Sequence, residues 1–436
     1  MAAGGFLGTA WTALGGPALP AGALRVLGRT GLESPLAVEE LALGAVAAQL
    51  LAARELARQP LAVELDAVGV GFSFRSERYA RQGGTAAGAG FAPLSRFWRT
   101  ADGWIRLHGN YPHHRAAIER VLGPGGPAAA IGRWCGEELE AAVVEQGGAA
   151  AVVRTTEEWA AHPQGQAVAG LPLLRLTRVA DGPPRDVPLA GLRVLDLTRV
   201  IAGPVATRTL AAHGADVLRL DHPGLPDDPA GLLDTGPGKR STSLDLRTPY
   251  GRTALEELLV GADVVVEGYR PGALDAFGLD PAALAERHPH LAVVRLRAWG
   301  ERGPWACRRG FDSLVQAATG IADTLASEAG PGVLPAQALD HGTGHLAAAA
   351  AMRAVARRRD EGGVWCAELS LAQLAHWLLA AGPRRETADE DSEVAPYLVE
   401  LPAEGGPVSL VRPPGSPPWR TGPPLPGAHA PEWLPR

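Results

Sequence analysis

From Leu189 onward, short runs of leucine and valine alternate with helical stretches, and this alternation limits the chain's fold more than any other feature. Strand, helix and strand in repetition build a parallel sheet with helical crossovers. Residues 192–197, 216–220, 243–246, 263–267 and 291–296 read as strands, with helices expected over 205–213, 252–260 and 281–287. Ligands of such sheets lie beyond the carboxyl ends of the strands. The candidate binding loops are therefore 199–204, the stretch after His222, 268–271 and 297–300.

Upstream the pattern differs. A helix is expected over 36–58 and a short alternating strand over 61–65, followed by a glycine-rich break at 83–90. A turn and strand over 99–108 and helices over 114–122, 134–146 and 156–161 make a small α+β unit, and 172–188 reads as a linker. The expected organisation is a helical segment at 1–80, the small α+β domain at 81–180, the parallel-sheet domain at 188–384 and a Pro/Gly-rich tail at 385–436. There is a weak internal repeat: 346–369 resembles 43–65, with Glu368 and Leu369 answering Glu64 and Leu65. The first copy has no aspartate where the second has Asp340.

Asp340 stands in the run 334–345 ahead of a small-residue helix expected over 346–359. Aspartate is a favoured helix N-cap, and the helix dipole favours its charge. Gly342 and Gly344 point instead to a carboxylate that a bulky group can approach. Lys239, the sole lysine, adjoins Arg240 in a glycine-containing turn suited to phosphate, although no P-loop precedes it; a solvated loop charge is the plain alternative. His341 and His345 lack a glutamate neighbour and a third ligand, so they read as surface or cap histidines, and His113-His114 reads as a loop pair. No GxSxG follows a strand, which argues against a serine hydrolase.

Composition narrows the class. A net charge of −6 gives no basic footprint for nucleic acid. Three scattered cysteines build neither a disulfide framework nor a zinc site, which fits a reducing cytoplasm. Met1 to Leu27 lacks a charged leader and is broken by Gly15-Gly16-Pro17, so no signal peptide is expected, and no apolar run reaches membrane-spanning length.

The motifs from Pro188 resemble the class III coenzyme A transferases, the CaiB/BaiF family. The resemblance rests on the opening 188–204, then Gly214-Ala215-Asp216-Val217, Lys239-Arg240-Ser241, Ala262 to Glu267 with Arg270-Pro271-Gly272, Trp299-Gly300, Gly303-Pro304, and Asp340 at the family's catalytic aspartate. It covers about residues 188 to 380. It implies a Rossmann-like domain plus a smaller α+β domain, in permuted or fused order, because the segment resembling the family's later part precedes Pro188. It also implies a cytoplasmic homodimer that moves coenzyme A between an acyl-CoA and a carboxylic acid, with coenzyme A as substrate and without a metal. Asp340 would be the nucleophile. Arg199, Ile201 and Ala202 would line the adenine and pantetheine path, His222, Lys239 and Arg240 the phosphates, and Tyr269 and Arg297 the cofactor's flank. The related acyl-CoA racemases carry a proton-transferring histidine where this chain has Phe311, which disfavours racemisation. The other alternative is a catalytically silent CoA-binding or partner subunit.

Overall fold

The computed structural model describes residues 5–88, 90–383 and 392–436. Seven strands form the main sheet: β1 (Leu174–Ala180), β2 (Arg193–Leu197), β3 (Asp216–Asp221), β4 (Lys239–Ser243), β5 (Val264–Glu267), β6 (Ala292–Arg297) and β7 (Val364–Ser370). Their order is β4-β3-β2-β5-β6-β7-β1. Every neighbouring pair is parallel except β7 with β1. Val264, Val265 and Val266 are buried, as a strand covered on both faces requires. The strand order turns around at β2, so the loop after β2 opens at the switch point of the sheet.

Three expectations shift. The stretch 172–188 is not a bare linker, because it contributes the antiparallel edge strand β1. Residues 243–246 are not the strand, which lies earlier at β4, where Val217 and Lys239 begin a register running to Asp221 and Ser243. The loop 199–204 is shorter than expected, since helix α2 (Ala202–Ala212) already starts at Ala202. Proline tolerates the first turn of a helix, so Pro204 does not delay the start.

Helix α4 (Ala338–Glu361) crosses the middle of the molecule. It has no polar face over most of its length: Leu346 through Ala351 are at most 1% exposed. Alanine supports the helix and its small volume admits close neighbours. The helix ends at Gly362 and Gly363, both at positive φ (66° and 84°), which glycine adopts without steric cost. Its last turn is held by Arg358, which is fully buried and donates to the carbonyls of Asp263 and His290.

Helix α1 (Val38–Leu56) lies between a parallel pair of strands, Leu24–Leu27 and Val63–Asp66, and packs on α4. This strand-helix-strand unit mirrors β6, α4 and β7. The offset that pairs Glu64 with Glu368 pairs Leu36 with Asp340, so the upstream copy repeats the backbone unit without its carboxylate. A three-stranded antiparallel sheet (Phe97–Arg99, Trp104–Leu107, Ala150–Val152) packs on helix α3 (Asp312–Thr319). Of the expected tail, 385–391 lie outside the described residues. The remainder is anchored: Val408–Val411 pairs with Arg81–Gln82, and Trp419 is 4% exposed with its indole N–H on the Arg208 carbonyl.

The glycines of α4 are filled by protein rather than left clear for a ligand. A Cβ at Gly342 would lie 2.7 Å from Leu41 and 2.8 Å from Leu374, and one at Gly344 would lie 2.6 Å from the Ala202 carbonyl oxygen. Gly344→Ala gains about 1 kcal/mol of helix propensity, while forcing α2 from α4 costs about 1–3 kcal/mol. A net loss in urea-unfolding midpoint is expected despite the better helix former.

Candidate active site

Asp340 is the third residue of α4, and the capping position is Gln337, which makes no side-chain cap. The N-cap reading is therefore set aside. The Asp340 backbone N–H donates to Asp312 Oδ2 at 3.0 Å, and Asp312 also accepts from Gln316. Asp340 itself is 6% exposed, and its carboxyl oxygens accept no hydrogen bond from the described residues. Burial, then the charges of Asp312 and Glu77, hold its carboxyl well above the usual aspartate range. Asp312 is likewise raised to about 6, chiefly by burial. Two carboxyls in one dry site cannot both charge without cost, which adds to the effect of burial at Asp340.

His341 and His345 are not surface histidines: both are buried and stack on Phe74 with ring centroids at 5.4 and 5.7 Å. His341 Nε2 lies 3.6 Å from Glu77. His114 is buried within helix Pro112–Leu122 rather than in a loop. Among the described residues no group of three or more His, Cys, Asp or Glu is gathered to hold a metal ion.

The loop between β2 and α2 adjoins this carboxylate, since α2 meets α4 at Gly344, one turn beyond Asp340. Val200 has φ of +72°, which a β-branched residue adopts only under constraint. Asp227 supplies that constraint: it accepts from the Val200 N–H at 3.3 Å, Tyr111 Oη at 2.6 Å and Arg219 at 3.1 Å, and lies 3.6 Å from Arg199. The Arg199 guanidinium lies 5.0 Å from the Tyr111 ring centroid. Tyr269 is half-buried nearby, its phenol raised by burial.

The expected cofactor residues divide into two groups. Arg199, Ile201, Ala202, His222 and Tyr269 lie at the carboxyl ends of β2, β3 and β5, around the sheet's switch point. His222 is partly exposed and lies 3.6 Å from Asp245. Lys239, Arg240 and Arg297 are committed elsewhere. The Lys239 ammonium is turned inward onto Asp196 and the Pro204 carbonyl, each at 3.0 Å, and burial pulls it down to about 8. Arg240 grips Asp216 at 2.9 Å, and Arg297 pairs with Glu267 inside the sheet. Lys239 and Arg240 thus spend their charges on internal ion pairs at the start of an edge strand, beside the amino-end cavity rather than at the carboxyl ends of the strands. Asp312, Asp227, Tyr111 and Glu77 escaped the sequence reading; only Asp312 left a trace, in the tetrad Arg309-Gly310-Phe311-Asp312. A cavity of about 700 Å³ opens at the opposite, amino ends of β2, β3 and β4, bounded by the chain's last residues, and holds none of the Asp340 chemistry.

Residues 189–394 match the family described as CoA-transferase family III. The chain is 34% identical over 190 residues to a probable fatty acyl-CoA transferase of Mycobacterium tuberculosis, covering 40% of this chain and 48% of the relative. It is also 34% identical over 222 residues to the human succinyl-CoA:glutarate CoA-transferase, covering 47% and 46%. A crystal structure of a CaiB/BaiF family protein from Brucella suis overlaps 51% of this chain and 65% of its own at 28% identity, with a TM-score of 0.42. The chain spans about half the length of the curated relatives it matches. No helix among the described residues is long and apolar enough to cross a membrane.

Two outcomes follow from this geometry. Lys239→Met strands the fully buried Asp196 and should cost about 3–5 kcal/mol of folding stability, read by denaturant unfolding, rather than a selective loss of coenzyme A affinity. Asp340 and Asp312 titrate above their unfolded value of about 3.9, so the native state holds extra protons and its stability falls as pH rises from about 4 through 6 and beyond. Asp340→Asn should be more stable than wild type at pH 7, with the gap closing at pH 4, in urea midpoints taken across that range.

Proposed function

We propose that the chain is a CoA transferase that moves coenzyme A between an acyl-CoA and a carboxylic acid through an aspartyl-CoA thioester on Asp340. The observation that carries this reading is the unpartnered Asp340 carboxyl, buried in the first turn of α4 beside the strained loop of Val200. In a domain read as Rossmann-like, that loop occupies the switch point at which ligands bind. Arg199, Ile201, Ala202, His222 and Tyr269 would bind coenzyme A there; Lys239, Arg240 and Arg297 would shape the sheet behind it. The permuted order sets the small domain ahead of the coenzyme A domain, and a cytoplasmic homodimer belongs to the same reading.

In the proposed reaction the ionised Asp340 attacks the thioester carbon, the C–S bond breaks, and a mixed anhydride and CoA thiolate form. The thiolate attacks the aspartyl carbonyl, releasing the donor acid and leaving the aspartyl-CoA thioester. The acceptor carboxylate attacks that thioester, and the same steps in reverse give the new acyl-CoA and free Asp340. Asp340 must lose its proton first, so the rate should rise with pH through a value above the ordinary carboxylate range.

The test is intact-mass spectrometry after incubation with a panel of acyl-CoAs and a hydroxylamine or borohydride quench. An adduct on Asp340 that is missing in Asp340→Ala, and that forms faster from pH 5 to 8, is the expected result. Binding of coenzyme A with no adduct from any donor would replace the transferase with a silent binding subunit.

A further inference from the structure

Among the buried arginines, Arg106 stands apart. Arg154, Arg208, Arg219, Arg297 and Arg353 each meet a carboxylate within ion-pair distance, and Arg358 holds two carbonyls. Arg106 is 5% exposed, yet no described residue offers it a hydrogen-bond acceptor or an ion-pair partner. Its guanidinium is instead set between two rings, 4.5 Å from the centroid of Phe91 and 5.2 Å from that of Phe97. Burying a cation without a partner costs several kcal/mol, a cost that an anion from outside the chain would offset. Burial lowers the Arg106 guanidinium only to about 10, against the opposing charge of Asp312, so it stays a cation at neutral pH.

Its placement says what that partner is. Arg106 and His108 leave the strand Trp104–Leu107 and its end on one face, while Ile105 and Leu107 fill the small domain's own core with Ile118 and Val143. The His108 ring stacks on Phe311 at 3.7 Å and an angle of 4°. Phe311 directly precedes Asp312, which holds the Asp340 backbone N–H. Arg106 thus lies against Phe91, Phe91 meets the His108 ring edge-on at 6.4 Å, His108 stacks on Phe311, and Phe311 adjoins the Asp312 that holds the Asp340 backbone, so aromatic neighbours link the cation to Asp340. His108 is kept neutral, its imidazole lowered to about 3 by burial and by His114 and Arg106, and its Nδ1 has no partner.

We infer that Arg106 receives the second carboxylate of a dicarboxylic acyl group whose thioester carbon lies at Asp340, with the methylene spacer against Phe91 and Phe311. This inference rests on the transferase reading and narrows its substrate class to diacids. The planar guanidinium matches a carboxylate bidentately, and the pairing supplies the hydrogen-bond acceptors that the described residues do not offer it.

The full chain is assayed with succinyl-CoA and butyryl-CoA, which share a four-carbon acyl chain and differ by one terminal carboxylate. Wild type should prefer succinyl-CoA. Arg106→Gln should lower its kcat/KM on the order of 100-fold while changing butyryl-CoA by less than about threefold, and Arg106→Lys should recover part of the loss. A parallel melting series needs no turnover: free succinate, not butyrate, should raise the Tm of wild type and leave Arg106→Gln unmoved. Equal use of both donors, or an equal loss for both in Arg106→Gln, would overturn the diacid site while leaving the transferase standing. Failure of every donor to label Asp340 would remove the transferase reading, and the succinate melting series would then decide for or against the carboxylate site alone. A drop in the Tm of ligand-free Arg106→Gln well beyond the loss of its two ring contacts, about 0.5–2 kcal/mol each, would assign the guanidinium a structural role and end the proposal.

Discussion

The close approach of α4 to its neighbours is the constraint on which the rest of the molecule depends. Residues 338 to 356 of this helix are buried, which is tolerable only because alanine and glycine let the backbones of α1 and α2 come near. That approach fixes where the loop after β2 lies relative to Asp340. It also removes water from the carboxyl, and water removal raises its proton affinity. Packing and acid chemistry therefore have one origin.

Charge placement follows from the same economy of space. Buried cations and anions are mostly satisfied internally: Lys239 on Asp196, Arg219 and Tyr111 on Asp227, Arg358 on backbone carbonyls. These pairs shape the sheet's carboxyl edge without reaching ligand. The Asp340 carboxyl and the Arg106 guanidinium, left without hydrogen-bond partners among the described residues, come from distant parts of the chain and are linked through His108, Phe311 and Asp312. In a structure that balances nearly every buried charge, the unbalanced ones carry information about what binds.

The upstream repeat gives this arrangement a second consequence. Helix α1 and its two strands reproduce the backbone unit of α4, and Leu36 takes the place of Asp340. A leucine there can be buried without partners, whereas a second aspartate would have needed them. The upstream copy thus supplies packing surface for α4, along with Phe74 and Glu77 against His341, and carries no counterpart of the Asp340 carboxyl.

Periodicity alone determined the strands at β2, β3, β5 and β6 within a residue or so and the body of α4 from Leu346, because each is a local pattern written in consecutive residues; it started that helix too late, leaving Asp340 ahead of it, whereas the helix begins at Ala338. It misplaced β4 and missed β1, since Lys239 to Ser243 and Leu174 to Ala180 are edge strands whose identity comes from their neighbours' hydrogen bonds rather than from hydrophobic alternation. The inward turn of Lys239, the filling of space beside Gly342 and Gly344, the raised proton affinity of Asp340 and the isolation of Arg106 were decided by tertiary structure. Each depends on which distant residue stands within a few ångströms, and on the water that residue displaces.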